Sequence, residues 1–254
     1  MSSVDVSNLR SSGKLGNIQG MRAFAALAVV LFHLIVTAHR YDIQISILSG
    51  AEYWGPAGVD IFFVISGFVM VESQRRKTLN PLAFFKRRVA RIAPLYLLLT
   101  LAYWGLATVV PSLFPNLVLS TGWLFASMTF TAQAFGFNAP ILGQGWTLEF
   151  EMLFYLVFAS SLFLKNSIKA GISSTLLLLL GVFVLGLNPI MLEFSFGVLI
   201  AIFYRSFRLS KVASILAFGV GLVGLILPFG EILKLESRII YFGIPSKRTR
   251  QFLA

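Results

Sequence analysis

Four ionisable residues lie in or beside long apolar runs: Arg22, His33, Asp60 and Glu151. Chemistry in this chain would begin with them. Arg22 and His33 are eleven residues apart within the apolar stretch 17–38. At 100° per residue, that separation is about 1100°, within roughly 20° of three full turns, so a helix puts both side chains on one face. The rise between them is about 16 Å, half the thickness of a hydrocarbon core. Ionisable groups at that depth are costly and usually line an interior path. A neutral imidazole can take a proton from a hydroxyl and pass it on near neutral pH. The plainer reading of His33 is a structural histidine hydrogen-bonded between helices. The plainer reading of Arg22 is a snorkelling interface residue. Their shared face favours a site.

Two further groups stand near apolar spans. Glu151 lies in GQGWTLEFEMLFYLVF, two residues after Glu149 and so on a different helix face. Both acids could be solvated at the end of a span; equally, Glu151 could orient a base or bind sugar hydroxyls. Trp146 and Tyr155 read as interfacial aromatics or as lining residues. The second group is the basic run Lys86-Arg87-Arg88-x-x-Arg91. Arg87, Arg88 and Arg91 stand at i, i+1 and i+4 and can form one patch. That patch marks topology, binds lipid phosphates, or receives a soluble phosphate-rich donor, since guanidinium forks match phosphate oxygens.

These residues need helices in a membrane to position them. Of the 254 residues, 57% are hydrophobic and only 12% charged, against about 25% charged in a soluble domain. Mean hydropathy is +0.84. The expected fold class is all-α, a polytopic transmembrane bundle of seven or eight spans. The 21 Lys and Arg outnumber the 10 Asp and Glu, for a net charge of +11. The positives cluster between apolar spans, as cytoplasmic loops do, and no basic-aromatic groove points to nucleic acid. The absence of cysteine excludes disulfides, thiolate metal sites and an acyl-cysteine in this chain. With His33 and His39 as the only histidines, no multi-histidine metal site is expected.

Taken in order, residues 1–16 read as a disordered polar tail. Spans are expected near 17–38, 56–71 (holding Asp60 and Ser66), 92–110, 146–164, 170–187, 189–204 and 212–229. Seven basic residues fall between Arg75 and Arg91, so that loop and the N-terminus are expected inside the cell. The later basic clusters, Lys165 with Lys169 and Arg205 with Arg208 and Lys211, also fall inside only if the apolar segment 117–135 does not cross. That segment is therefore read as re-entrant, or as an external hairpin packed on protein. The stretch 231–254 ends in an atypical basic tail.

At these residues the chain resembles the membrane-bound acyltransferase-3 family. Four blocks carry the resemblance: Arg22, ten residues, then His33; Gly58-Val59-Asp60-Ile61-Phe62-Phe63-Val64-Ile65-Ser66-Gly67-Phe68; Arg87-Arg88-x-x-Arg91-Ile92-x-Pro94-x-Tyr96; and Trp146-Thr147-Leu148-x-x-Glu151-x-x-Phe154-Tyr155. Within the family, the chain is most similar to exopolysaccharide acetyltransferases. Thr147 replaces the commoner serine and Met152 a frequent second glutamate. The resemblance implies a transmembrane core over 17–230 of an O-acyltransferase in a bacterial inner membrane, with acetyl-CoA as donor and no metal. The acceptor would be a sugar hydroxyl of a lipid-linked or exported polysaccharide. It implies His33 as base, Arg22 as support for the donor or the developing charge, and Glu151 as the residue orienting His33 or the acceptor. Arg87, Arg88 and Arg91 would hold the donor's phosphates, with Asp60, Ser66, Trp146 and Tyr155 structural or lining. Such proteins usually carry about ten spans, so the last spans are expected to be missing. Competing readings are a proton-coupled transporter or channel, and an inactive remnant.

Overall fold

The computed structural model describes residues 6–41, 55–76, 80–114 and 119–204, with isolated positions 43, 206, 210 and 216. Seven α-helices run through them: α1 (Val6–Arg40), α2 (Ala57–Arg76), α3 (Pro81–Val109), α4 (Thr121–Met128), α5 (Trp146–Ser161), α6 (Ser167–Leu185) and α7 (Leu192–Phe203). There is no strand among the described residues, and the all-α class stands. Among the described residues, five stretches are long and apolar enough to cross a membrane: Asn17–His39, Ala57–Arg75, Pro81–Val109, Gly143–Leu164 and Ser167–Leu185. A sixth, Pro189–Phe203, is apolar but shorter. The expected span at 212–229, the tail at 231–254 and most of the 40–55 loop lie outside the described residues.

Two boundaries differ from the sequence reading. Helix α1 begins at Val6, inside the expected disordered tail. Residues 6–16 contain no proline, and a helix nucleated by the apolar run can propagate back through them. Helix α3 begins at Pro81 rather than near Ile92. Asn80 caps it, its Oδ1 accepting the Ala83 N–H at 2.7 Å, and proline occupies the first helical position. The basic block is therefore helical throughout.

The described chain divides into two compact units. One holds α1, α2, α7 and α6 from Thr175 onward; the other holds α3, α4, α5 and α6 up to Ser174. In the first unit, α2 and α7 are in close contact. Phe63 stacks on Phe194 at 4.4 Å and Phe68 meets Tyr204 edge-on at 5.3 Å. Later residues meet later residues, so the two helices run parallel. Near their common C-terminal end, Arg75 Nη2 donates to the Ala201 carbonyl at 2.8 Å. That oxygen is one of those a helix end leaves without a partner, and the cation also suits the negative end of the helix dipole. Glu72 Oε2 lies 3.8 Å from Arg75 Nε, a charge contact rather than a hydrogen bond.

Parallel α2 and α7 have their C-terminal ends on the same side. The chain between them must then cross an odd number of times. Three long apolar helices, α3, α5 and α6, lie between them, which is the arrangement that a non-crossing segment 117–135 requires. Helix α4 has eight residues and rises about 12 Å, far short of a roughly 30 Å hydrocarbon core.

Close approach of α2 and α7 explains two glycines. A Cβ on Gly67 would run into the Phe194 carbonyl oxygen, and one on Gly197 into the Val64 carbonyl oxygen. Small residues let membrane helices approach backbone to backbone. Gly67→Ala and Gly197→Ala should each cost about 1–3 kcal/mol through overpacking and lower the melting temperature of the detergent-purified chain. Gly105→Ala, where nothing lies within 4 Å, should leave it unchanged or raise it. Equal melting temperatures for all three variants would contradict the close packing.

Candidate functional site

The site residues fall into two sets, one on each unit. On the first unit, Arg22 and His33 lie on the continuous helix α1, and both are half-buried. With Val29 and Val36, also half-buried, they border the buried row Ala25, Ala28, Phe32 and Ile35. The shared face expected from their spacing is therefore present, at the edge of the packed stripe rather than opposite it. The Phe32 ring meets the His33 ring edge-on at 5.3 Å. Asp60 lies in the first turn of α2, where a carboxylate suits the positive end of the dipole. Ser66, half-buried, precedes the close-contact Gly67.

On the second unit, the basic block divides. Helix α3 turns Arg88 toward α5, where its guanidinium sits 5.5 Å from the Phe84 ring centre and 5.7 Å from that of Tyr155. These are cation–π distances; the two rings meet each other edge-on at 6.4 Å, so the guanidinium sits over the pair. Arg87 and Arg91 are exposed. Around the helix Arg91 lies between the other two, about 40° from Arg87 and 60° from Arg88, so the three remain neighbours although only Arg88 is drawn against the rings. The Tyr155 hydroxyl donates to Glu151 Oε1. Tyr155 is buried and Glu151 half-buried, one turn apart on α5. Arg88, Tyr155 and Glu151 thus form a connected polar group in which an aromatic ring carries a cation on its face and a carboxylate at its hydroxyl. Trp146, the first residue of α5, is buried and meets Phe150 edge-on at 5.8 Å. It is a packed residue, not an exposed interfacial one.

Glu149 departs most from the sequence reading. It is 6% exposed, not solvated. Its Oε1 accepts the Ala132 N–H at 2.8 Å and its Oε2 the Gln133 N–H at 3.2 Å. Around it, irregular backbone from Thr129 to Leu142 folds back along α4. The Ile141 N–H donates to Ser127 Oγ at 2.9 Å, and Trp123 Nε1 donates to the Ala139 carbonyl at 2.8 Å. The Tyr96 hydroxyl donates to the Ser127 carbonyl at 3.0 Å, and the Tyr96 ring stacks on Phe130 at 4.6 Å. Phe130 has φ of 59°, a left-handed conformation uncommon for a bulky residue. A Cβ on Gly145 would meet the Tyr96 ring, the nearest atom at 2.5 Å. Tyr96 therefore joins α3, the end of α4 and the start of α5. Sequence spacing carried no signal for the roles of Glu149, Ser127 or Tyr96, because their partners are backbone groups 14 to 31 residues away.

Among the described residues, no group of three or more His, Asp or Glu side chains could hold a metal ion. Helices of crossing length, with ionisable side chains within them, define an integral membrane protein with polar groups in its interior. Residues 15–244 match the acyltransferase domain family Acyl_transf_3, and the chain belongs to that family. It is 38% identical over 225 residues to the exopolysaccharide production protein ExoZ of Rhizobium meliloti, covering 80% of this chain and 67% of ExoZ. It is 35% identical over 157 residues to the acyltransferase MdmB of Streptomyces mycarofaciens, covering 57% of this chain and 38% of MdmB. It is 28% identical over 162 residues to the O-acetyltransferase OatA of Staphylococcus aureus, covering 57% of this chain and 24% of OatA. The chain thus spans two thirds of the first relative and well under half of the other two. No solved structure matches it.

Glu149→Ala would leave the buried Ala132 N–H without its acceptor. That should cost about 1–3 kcal/mol and lower the melting temperature in detergent, while Glu149→Gln, which keeps one carbonyl acceptor, should recover part of the loss. An unchanged melting temperature in Glu149→Ala would show that the carboxylate does not hold the fold-back.

Proposed function

We propose that the protein is an O-acyltransferase of a bacterial inner membrane. It would move an acetyl or other short acyl group from acyl-CoA to a hydroxyl of a cell-surface or exported polysaccharide. The observation that carries this reading is family membership over residues 15–244, joined to an Arg and a His on one face of a membrane-length helix. The likeness to an exopolysaccharide production protein and to an O-acetyltransferase supports the glycan acceptor.

In this reading, His33 removes the proton from the acceptor hydroxyl as its oxygen attacks the thioester carbonyl carbon. The new C–O bond forms, the C–S bond breaks, and the departing thiolate takes up a proton. Arg22, on the same face but about 16 Å along the helix, fixes a part of the donor remote from the reacting carbonyl. His33 acts as base rather than as an acyl carrier, since one imidazole suffices for proton transfer. Glu151, held by Tyr155, orients the acceptor. Arg87, Arg88 and Arg91 would hold the donor's phosphates, with half-buried Arg88 positioned by the Phe84 and Tyr155 rings. Asp60, Ser66 and Trp146 support these elements.

Membranes expressing the 254-residue chain, given labelled acetyl-CoA, should transfer label to isolated glycan. His33→Ala should reduce transfer by about 10²–10⁴-fold, the usual worth of a positioned base. Equal transfer by His33→Ala would make His33 structural and overturn this mechanism; absence of transfer by the inserted wild-type chain would remove the activity from it.

A further inference from the structure

The fold-back 129–142 meets α3 far from either end of that helix. A Cβ on Gly145 would run into the Tyr96 ring, and the Tyr96 hydroxyl donates to the Ser127 carbonyl. From Tyr96 to Val109, the end of α3 remote from its basic head, the helix rises about 20 Å. Leu98, Leu99, Leu101, Leu106 and Val109 are exposed along that rise, so it belongs in hydrocarbon. Gln144, next to Gly145, therefore stands well below the far end of an apolar span. Its side chain is exposed and makes no hydrogen bond among the described residues. The same holds for Asn138, which adjoins Ala139, whose carbonyl accepts from Trp123. Lipid offers an amide nothing to bond with. The two carboxamides therefore face a polar cleft that opens toward the far end of α3. No charged residue occurs from Ile92 to Leu148, so this cleft offers nothing to a phosphate or a carboxylate. A carboxamide donates and accepts at once, as a sugar hydroxyl does. Phe135, 67% exposed on the same fold-back, adds an apolar face for ring carbons. Glu151 lies six residues past Gly145 on α5, about 9 Å further along.

We propose that Asn138, Gln144 and Phe135 form the subsite that holds the neutral sugar chain of the acceptor, in a cleft entered from the side opposite the basic head of α3. The subsite rests on the glycan acceptor of the acyltransferase reading and assigns its binding to the fold-back.

The test uses the full chain in sealed vesicles of known orientation. Asn138→Cys and Gln144→Cys should each react with an impermeant maleimide added on the side opposite the basic head of α3. Glycan from the transfer assay, stripped of acyl groups and cut to oligosaccharides, should slow that reaction severalfold, and acetyl-CoA should not. In the transfer assay, Asn138→Ala and Gln144→Ala should each raise the glycan KM by about three- to tenfold, the worth of one neutral hydrogen bond. Both should leave the acetyl-CoA KM and the melting temperature unchanged, which separates lost binding from misfolding. Maleimide reaction unaffected by the glycan would overturn the subsite, whether or not the wild type transfers label. Cysteines that the reagent does not reach from that side would overturn the cleft. Protection by the glycan without transfer by the wild type would uphold the subsite and remove the acyltransferase activity instead.

Discussion

Backbone polar groups inside a bilayer have no water to bond, and irregular backbone at that depth must be satisfied by protein. The stretch 129–142 is the longest irregular segment among the described residues, and its buried N–H and C=O groups face the same requirement wherever protein shuts out water. Turn hydrogen bonds close part of it, such as Thr131 N–H to the Ala126 carbonyl at 2.9 Å and Phe137 N–H to the Ala132 carbonyl at 3.0 Å. Side chains from neighbouring elements close much of the rest. Glu149 takes the Ala132 and Gln133 N–H groups, Ser127 takes that of Ile141, and Trp123 donates to the Ala139 carbonyl. This last bond sets the exit of the segment beside its entry, so a chain that starts down α4 comes back instead of crossing. The start of α5 follows at once, and Glu151 and Tyr155 lie within its first three turns.

The first unit solves a different problem. Helices α2 and α7 pack so closely that glycine is needed on both sides of the contact, and their parallel course is sealed at one end by Arg75 on the Ala201 carbonyl. Gly67 belongs to the same apolar block as Asp60 and Ser66. Part of that block's composition is therefore a packing requirement rather than a chemical one. Likewise, Trp146 at the head of α5 is explained by burial against Phe150.

Periodicity made the helices legible. Among the described residues, apolar runs of crossing length appear as helices, α3 beginning eleven residues before its expected start, and the eleven-residue step from Arg22 to His33 survives as a shared face. The counting of basic clusters called for a non-crossing segment at 117–135, and the chain does turn back between Trp123 and Ala139. Side-chain direction was less legible. The spacing of Arg87, Arg88 and Arg91 makes them neighbours on α3, but that Arg88 alone lies over Phe84 and Tyr155 depends on a partner helix distant in sequence. Glu149 was hidden for the same reason. An acid two residues from Glu151 reads as solvated until the backbone it holds, 16 and 17 residues earlier, comes into view.

The sequence contains no cysteine, so single cysteines can report sidedness without a background. The most direct test of the fold-back places one at Thr121, at the entry of α4, and one at Gln144, just before α5, both exposed positions. A membrane-impermeant maleimide is then applied to sealed vesicles of known orientation. Labelling of both cysteines from the same side is expected. Labelling from opposite sides would mean that segment 121–144 crosses the membrane, and would contradict both the fold-back and the sidedness built on it.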